Sequence, residues 1–236
     1  MSFSLRTALT SAVVSAICVT AAGCGGSSSS DPLAALSPRQ VLNKAVSDLK
    51  SAPSFHLAGT VNQDGGISVD LTYKRGTGCE GTLGIGSKGS LYLLVIGGTA
   101  WLKPDQAFWQ SYAGSSASSV IAVVGGKYLK SAVSSRNVSG LAQLCNAYSL
   151  ASSFTSPKDI EKGATSTIGG QQVLALKDPA KSSTMYVTDT SSPQILRVVG
   201  TQSGNGGRID FTGYGSPVTL TPPPASETID GARFGF

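Results

Sequence analysis

The chain has 236 residues and a formal net charge of +5, and charged side chains occupy only 13% of its positions. Its 29 glycines are typical of short strands joined by tight turns, and they disfavour a helix-rich protein. The basic residues form no cluster with interleaved aromatic residues, so a nucleic-acid binder is excluded as a functional class. The mild positive charge is compatible with weak attraction to anionic lipid head groups.

The N-terminal segment resembles a bacterial lipoprotein signal peptide. Arg6 supplies a positive charge, residues 8–20 form a short apolar run, and residues 21–24 have the lipobox-like sequence Ala-Ala-Gly-Cys. We expect cleavage before Cys24, so that residues 1–23 are the signal peptide, and a diacylglycerol on the Cys24 sulfur. The mature protein would then be anchored by lipid to the extracytoplasmic face of the cell membrane.

Two other interpretations of this segment were weighed. A membrane span needs about 18 to 20 apolar residues, more than residues 8–20 supply. An ordinary cleaved signal explains neither the cysteine at position 24 nor the stretch rich in Gly and Ser that follows it. We therefore interpret residues 24–36 as a lipidated flexible tether, and residues 37–236 as a single domain with an extended C-terminal tail.

Four cysteines are present, and two of them remain for the folded domain after Cys18 in the apolar run and Cys24 are set aside. An exported pair usually oxidises, which favours a disulfide between Cys79 and Cys145. A metal site is the competing interpretation, but His56 is the only histidine and no spacing typical of metal ligands occurs. We expect no metal and no cofactor.

A capped helix is predicted at the start of the domain. Ser37 is suited to the N-cap, Pro38 to the first helical position and Gln40 to the third position of a capping box. Apolar residues then recur at helical spacing as far as Leu49. The helix should end before Pro53.

Alternating apolar and polar residues predict two groups of antiparallel strands, one between Phe55 and Lys103 and one between Gly163 and Tyr214. The GxGxxG string at residues 84–89 is typical of phosphate-binding loops when a helix follows. A continuous apolar run at residues 91–96 follows here, so we interpret the string as a turn between strands.

Helices are predicted between the two strand groups. Residues 104–112 fit a short helix. A second helix is predicted to begin at Asn137 as N-cap and to run to about Phe154, with Cys145 on its apolar stripe. The disulfide would then pin this helix to the strand that carries Cys79.

Several strands with their turns carry a family likeness; they lie at residues 89–103, 168–173, 185–187, 193–198 and 209–215. Their order and spacing resemble the actinobacterial LppX/LprG-type lipoproteins of the LolA-like superfamily, over roughly residues 36 to 224. The resemblance implies an α+β fold in which a strongly curved antiparallel sheet, a half barrel, has helices packed on its concave face. It also implies an apolar cavity between the layers that holds acyl chains of a lipid or glycolipid.

Large apolar side chains of the predicted helices and strands are the candidates for lining that cavity. They are Val46, Leu49, Leu57, Leu93, Trp101, Phe108, Trp109, Leu141 and Leu144. The competing interpretation is that these residues only fill a closed core.

The expected function is that of a monomeric, membrane-anchored carrier or chaperone, which binds a lipid or another apolar small molecule in the cell envelope. The alternative is a non-enzymatic interaction or sensor module with a closed core and no lipid ligand. An enzyme is disfavoured, because Ser, Asp and Glu do not lie at the spacings that nucleophilic or acid–base catalysis requires. The SxxK string at residues 47–50 lacks its partner motifs, and His56 falls on the polar face of its strand.

Overall fold

The computed structural model describes residues 31–62, 65–154, 159–202 and 206–236. The predicted signal peptide and Cys24 lie outside the described residues, as does most of the predicted tether. From Asp31 to Phe236 the chain forms one unit. No helix within the described ranges is long and apolar enough to cross a membrane.

Helices and strands occur in groups along these ranges. The helices are α1 (Pro38–Ser51), α2 (Gln106–Ala113), α3 (Ala117–Val124), α4 (Arg136–Leu144) and α5 (Ala147–Ser152). The first strands are β1 (Ser54–Val61), β2 (Ile67–Lys74), β3 (Gly78–Ile85), β4 (Ser90–Ile96), β5 (Thr99–Pro104) and β6 (Tyr128–Ala132). The later strands are β7 (Glu161–Ile168), β8 (Gln171–Asp178), β9 (Ser183–Thr188), β10 (Ile195–Gly200), β11 (Gly207–Thr212) and β12 (Thr228–Asp230).

These strands form one sheet in the order β12-β6-β5-β4-β3-β2-β1-β11-β10-β9-β8-β7. Neighbouring strands are antiparallel except β12 and β6, which are parallel. The sheet is open, with β12 and β7 at its edges. The α+β class predicted from sequence is confirmed, and the single parallel pair makes the sheet mixed.

The two strand groups meet where β1 pairs with β11. His56 lies opposite Thr212, and the register runs on to Val61 opposite Gly207. The sequence pattern predicts both groups but not this junction, because strand pairing over so long a separation leaves no local signal in the sequence.

The predicted start of α1 is confirmed atom by atom. The Ser37 hydroxyl accepts a hydrogen bond from the Gln40 N–H at 3.3 Å, and the Gln40 side chain accepts one from the Ser37 N–H at 2.7 Å. The helix ends at Ser51, before Pro53. Its buried face consists of Val41, Leu42, Ala45, Val46 and Leu49.

The single helix predicted from Asn137 to Phe154 is wrong in two respects. It is interrupted at Cys145 and Asn146, where the Asn146 side chain accepts hydrogen bonds from the first N–H groups of α5. Asn137 does not cap α4; its amide donates to the Gly235 carbonyl at 2.6 Å. The apolar stripe continues across the interruption, so periodicity alone does not detect it.

The GxGxxG string is a turn between antiparallel strands, as predicted. Residues Gly86–Lys88 form one 3₁₀ turn between β3 and β4. Gly89 has a φ of +92°, and a Cβ atom there would lie 2.2 Å from the Phe108 backbone nitrogen. Glycine is therefore required at this position by the close approach of the start of α2.

The C-terminal segment contributes both an edge strand and a buried aromatic side chain. After Pro224 the chain forms β12 beside β6. Phe236 is buried, and its ring lies 5.9 Å from that of Trp109 and 5.7 Å from that of Tyr112. This end of the chain thereby covers α2.

Candidate functional site

An apolar cavity of about 430 Å³ lies between the middle of the sheet and helices α4 and α5. No charged side chain is among the described residues that line it. The four neighbouring strands β2, β1, β11 and β10 form its floor, chiefly through Leu57, Val69, Leu71, Val198, Ile209 and Phe211. The roof is formed by α4, α5 and the residues after α5, chiefly through Leu144, Leu150 and Phe154.

Strand register brings the floor residues together. Leu57 lies opposite Leu71 on one side and Phe211 on the other. Residues on one face of a sheet alternate along each strand, so the next row is centred on Gly59, between Val69 and Ile209. This row has no side chain at its centre.

Glycine at position 59 is required by the packing of the strands. A Cβ atom there would lie 2.0 Å from the Arg208 carbonyl oxygen, a separation that real side chains do not adopt. The gap in the floor is therefore a consequence of how closely β1 approaches β11.

A disulfide fastens one end of the roof to the sheet. Cys79 in β3 is bonded to Cys145, the C-cap residue that follows α4, with an S–S distance of 2.03 Å. The predicted pairing is confirmed. Beside it, the Tyr73 hydroxyl donates a hydrogen bond to the Leu144 carbonyl. Burial raises the pKa of Tyr73, so its hydroxyl remains a donor at physiological pH.

The other part of the roof rests on α1 and β11. Ala151 of α5 is completely buried, and the Phe154 ring meets the Phe211 ring edge-on at 6.2 Å. The roof still presents apolar surface to solvent, since Leu144 is 41% exposed and Tyr148 is 66% exposed. The cavity is thus covered by short, partly exposed helices and not by a thick layer of core.

Two of the nine predicted lining residues, Leu57 and Leu144, line this cavity. The other seven lie outside this cavity. Val46, Leu49 and Leu93 are buried in the core, and Phe108 and Leu141 are half-buried against it. Trp101 and Trp109 are buried beside the C-terminal segment of the chain. Leu93 shares the row of Leu57 and Leu71, but it lies on β4, beyond the four strands of the floor.

Sequence reasoning missed lining residues on the helices, on β2 and on the later strands β10 and β11. Val198, Ile209 and Phe211 alternate correctly for one apolar face. They become candidates only once β11 is placed beside β1, which the sequence pattern alone does not indicate.

His56 lies on the opposite face of the sheet from Leu57. Its Nε2 atom is 2.9 Å from the Asp70 carboxylate, and its Nδ1 atom is 3.3 Å from the Thr212 hydroxyl. Both side chains of the His56 and Asp70 pair are substantially exposed. The cluster joins three adjacent strands, and its geometry fits a cross-strand hydrogen-bond network on an open surface.

Two mycobacterial proteins of known structure share this fold. LprF from Mycobacterium bovis superposes with a TM-score of 0.55 at 15% identity, covering 79% of this chain and 96% of that one. The lipoprotein LppX from Mycobacterium tuberculosis gives a TM-score of 0.51 at 14% identity, covering 78% and 98%. No family model and no curated protein sequence matches the chain. The predicted resemblance to LppX/LprG-type lipoproteins is therefore confirmed at the level of the fold.

Proposed function

We propose that the protein is a non-enzymatic, membrane-anchored lipoprotein that binds the acyl chains of a lipid or another apolar molecule as a carrier or chaperone in the cell envelope. The observation that carries the proposal is the apolar cavity of about 430 Å³ between the sheet and α4–α5. Its volume falls within the range of about 300 to 1,000 Å³ that is usual for small-molecule sites. Burial of an acyl chain there contributes about 0.8 kcal/mol per methylene.

The shape expected of the sheet supports the same proposal. We infer that the sheet is a half barrel, with α4 and α5 on its concave face. Gly59, Gly78 and Gly81 lie within strands and have φ values near +150°, and glycines inside strands often mark sharp bends. Four adjacent strands contribute side chains to one cavity beneath the same pair of helices.

The proposed anchor is the lipidated sulfur of Cys24. A Cys24→Ala variant should leave the folded domain intact and release it into the soluble fraction, because among the described residues those that pack in the core begin at Leu33. Membrane fractionation of the two proteins, with circular dichroism to check folding, tests the anchor. Firm retention of the variant in the membrane fraction would contradict it.

The cavity is tested by a tryptophan substitution with a matched control. Val198 lines the cavity, whereas Val199 follows it on the opposite face of β10. Val198→Trp should block a fluorescent fatty-acid probe and weaken its binding by at least about tenfold. Val199→Trp should bind the probe like the wild type.

Native mass spectrometry of the protein purified from its own host completes this test. The proposal expects a co-purified lipid in the wild type and less of it in Val198→Trp. Recovery of no lipid, together with no probe binding by the wild type, would contradict the proposed function.

A second candidate is an interaction or sensor module, and one surface favours it. Residues 106–126 contain no charged side chain, and within them Tyr112 is 53% exposed and Val123 is 67% exposed. Such a patch is typical of a contact site. The test places a photo-crosslinking residue at position 120 and looks for crosslinks to envelope proteins. This function is favoured over lipid carriage if the wild type contains no lipid and the crosslinks are lost in Val123→Asp.

A further inference from the structure

A second pocket lies on the other side of α4 from the apolar cavity. It has a volume of about 500 Å³ and shares Tyr73 and Gln143 with the cavity. The rest of its lining is mixed, and its polar and charged residues come chiefly from the β2–β3 turn, the last turn of α1 and the start of α5. We call Tyr73 and Gln143 the wall between the two spaces. A ligand that occupied both spaces would extend past this wall.

This second pocket is positively charged. Lys50, Lys74 and Arg75 line it, and no Asp or Glu is among its described lining residues. The ion pairs found in the described part of the chain involve none of the three. The Lys50 ammonium lies 4.3 Å from the centre of the Tyr148 ring, a favourable contact that leaves its charge uncompensated. The positive potential is therefore available to an anion.

Backbone contacts hold these cations together. Lys50 is in the last turn of α1, Lys74 is the last residue of β2, and Arg75 begins the turn that follows. The Arg75 N–H donates to the Pro53 carbonyl at 2.9 Å, which fixes this turn beside the end of α1. Two segments that are distant in sequence thus meet at one pocket.

We propose that this basic pocket binds the anionic head group of an amphiphile whose acyl chain occupies the apolar cavity. The inference rests on the proposed function and specifies its ligand class as an acidic lipid, such as one with a phosphate head group. An ionised head group is too costly to bury in the apolar cavity. The adjacent pocket offers charge-assisted hydrogen bonds to it.

The wall between the two sites has a fixed position. The Tyr73 hydroxyl and the Cys79–Cys145 disulfide hold the end of α4 against the sheet. Gln143, at the same end, is exposed and borders both spaces. The head group and the chain would therefore lie on the two sides of this helix end, with the Gln143 side chain at the crossing point.

The test compares ligands that share one chain and differ in charge. Titration calorimetry measures binding of dodecyl phosphate and dodecanol, each below its aggregation concentration, and of inorganic phosphate. The wild type should bind dodecyl phosphate at least about tenfold more tightly than dodecanol, the effect of one charge-assisted hydrogen bond. Inorganic phosphate alone should bind far more weakly than dodecyl phosphate, because it gains nothing from the cavity.

The pocket is then tested by charge reversal. Lys74→Glu/Arg75→Glu should remove the preference for dodecyl phosphate and leave the affinity for dodecanol unchanged. The neutral variant Lys74→Gln/Arg75→Gln should reduce the preference by a smaller factor. Lys177→Glu/Lys181→Glu changes the net charge equally at exposed positions outside the pocket and should retain the preference.

The outcomes separate the two proposals. Equal affinity of the wild type for both amphiphiles, or an unchanged preference in Lys74→Glu/Arg75→Glu, would overturn the head-group site while leaving the apolar cavity in place. Inorganic phosphate that binds as tightly as dodecyl phosphate would show a free-anion site and would also overturn it. Absence of binding by either amphiphile would overturn the proposed function and this inference with it.

Discussion

Tyr73 lies directly opposite Cys79 in the register of β2 and β3, and both side chains reach the same end of α4. The Tyr73 hydroxyl donates to the Leu144 carbonyl, and Cys79 is bonded to the next residue, Cys145. Two neighbouring strands thus hold one helix end through one hydrogen bond and one covalent bond. This is the fixed end of the roof over the apolar cavity.

Loss of the disulfide should destabilise the protein substantially. The bridge joins residues 66 positions apart, and for such a loop the chain-entropy relation gives about 4 kcal/mol of unfolding free energy. Chemical denaturation of the oxidised wild type, the reduced wild type and Cys79→Ser/Cys145→Ser measures the effect. The last two should unfold at similar denaturant concentrations. An unfolding midpoint that reduction does not move would contradict the expected role of the bridge.

Removal of the Tyr73 hydroxyl should have a smaller effect at the same place. Tyr73→Phe deletes the donor to the Leu144 carbonyl and should lower the unfolding free energy by about 1 kcal/mol. Tyr112→Phe is the control, since Tyr112 is 53% exposed and its change should fall within about 0.5 kcal/mol. Equal stability losses in the two variants would show that the Tyr73 hydrogen bond contributes nothing specific.

Asp105 should be the most sensitive helix cap. Its carboxylate accepts hydrogen bonds from the Phe108 N–H at 2.7 Å and from the Ser90 N–H and hydroxyl at 2.8 Å. Asp105→Ala should cost about 1 to 2 kcal/mol of unfolding free energy. Ser116, at the N-cap of α3, makes no capping hydrogen bond through its side chain. Thermal unfolding of Ser116→Ala should therefore resemble that of the wild type.

Low pH should weaken the ion pairs that Asp210, in β11, makes with two arginines. Its carboxylate lies 2.6 Å from Arg197 Nε and 2.7 Å from Arg208 Nη2. Partial burial alone would raise the pKa of Asp210, but the hydrogen bonds and charges of the two arginines lower it below its ordinary value.

The sign of the pH dependence follows from this lowered pKa. The stabilisation is fully present above the ordinary carboxylate pKa and is lost as the pH falls through the lowered value. Asp210→Asn should therefore be less stable than the wild type at pH 7, and the gap should close towards low pH. Unfolding free energies measured across that range test this, and a gap that stays constant with pH would exclude the proposed linkage.

Two glycine substitutions should have opposite signs. Gly59→Ala places its Cβ against the Arg208 carbonyl, so it should destabilise the protein by at least about 1 kcal/mol. Gly140 lies in α4 with open space around its Cβ position, and Gly140→Ala should stabilise the helix by about 1 kcal/mol. Denaturation midpoints of the two variants, measured side by side, decide both. A stable Gly59→Ala protein would mean that β1 and β11 approach less closely.

Local signals in the sequence predict the elements but not the cavity. The Ser37 cap and the alternation of Ile209 and Phe211 depend on neighbouring residues, so the sequence predicts them. The interruption between α4 and α5 leaves no such signal, because Leu144 and Tyr148 are four residues apart and stay on one helical face across it. The basic pocket depends on the contact between Arg75 and Pro53, which no spacing indicates.

Leu93 and Trp101 are predicted lining residues that do not line this cavity, and the reason is physical. Both residues are large, apolar and buried, which is all that composition can detect. Whether a buried side chain faces packed core or open space depends on how far the helices extend over the sheet. Here α4 and α5 cover the strands on either side of the β1–β11 junction, and β4 and β5 lie beyond it.

The pairing of β1 with β11 also sets the order of events during biogenesis. β1, the first strand of the cavity floor, can pair with β11 only after most of the chain has been synthesised. Such long-range pairing is slow to form. A chain still emerging from a membrane translocation channel would have no complete floor and would expose Leu57 and Leu71 to water. If the chain is exported and binds a ligand as proposed, loading would follow complete translocation, and until then the nascent chain would expose apolar surface to envelope chaperones.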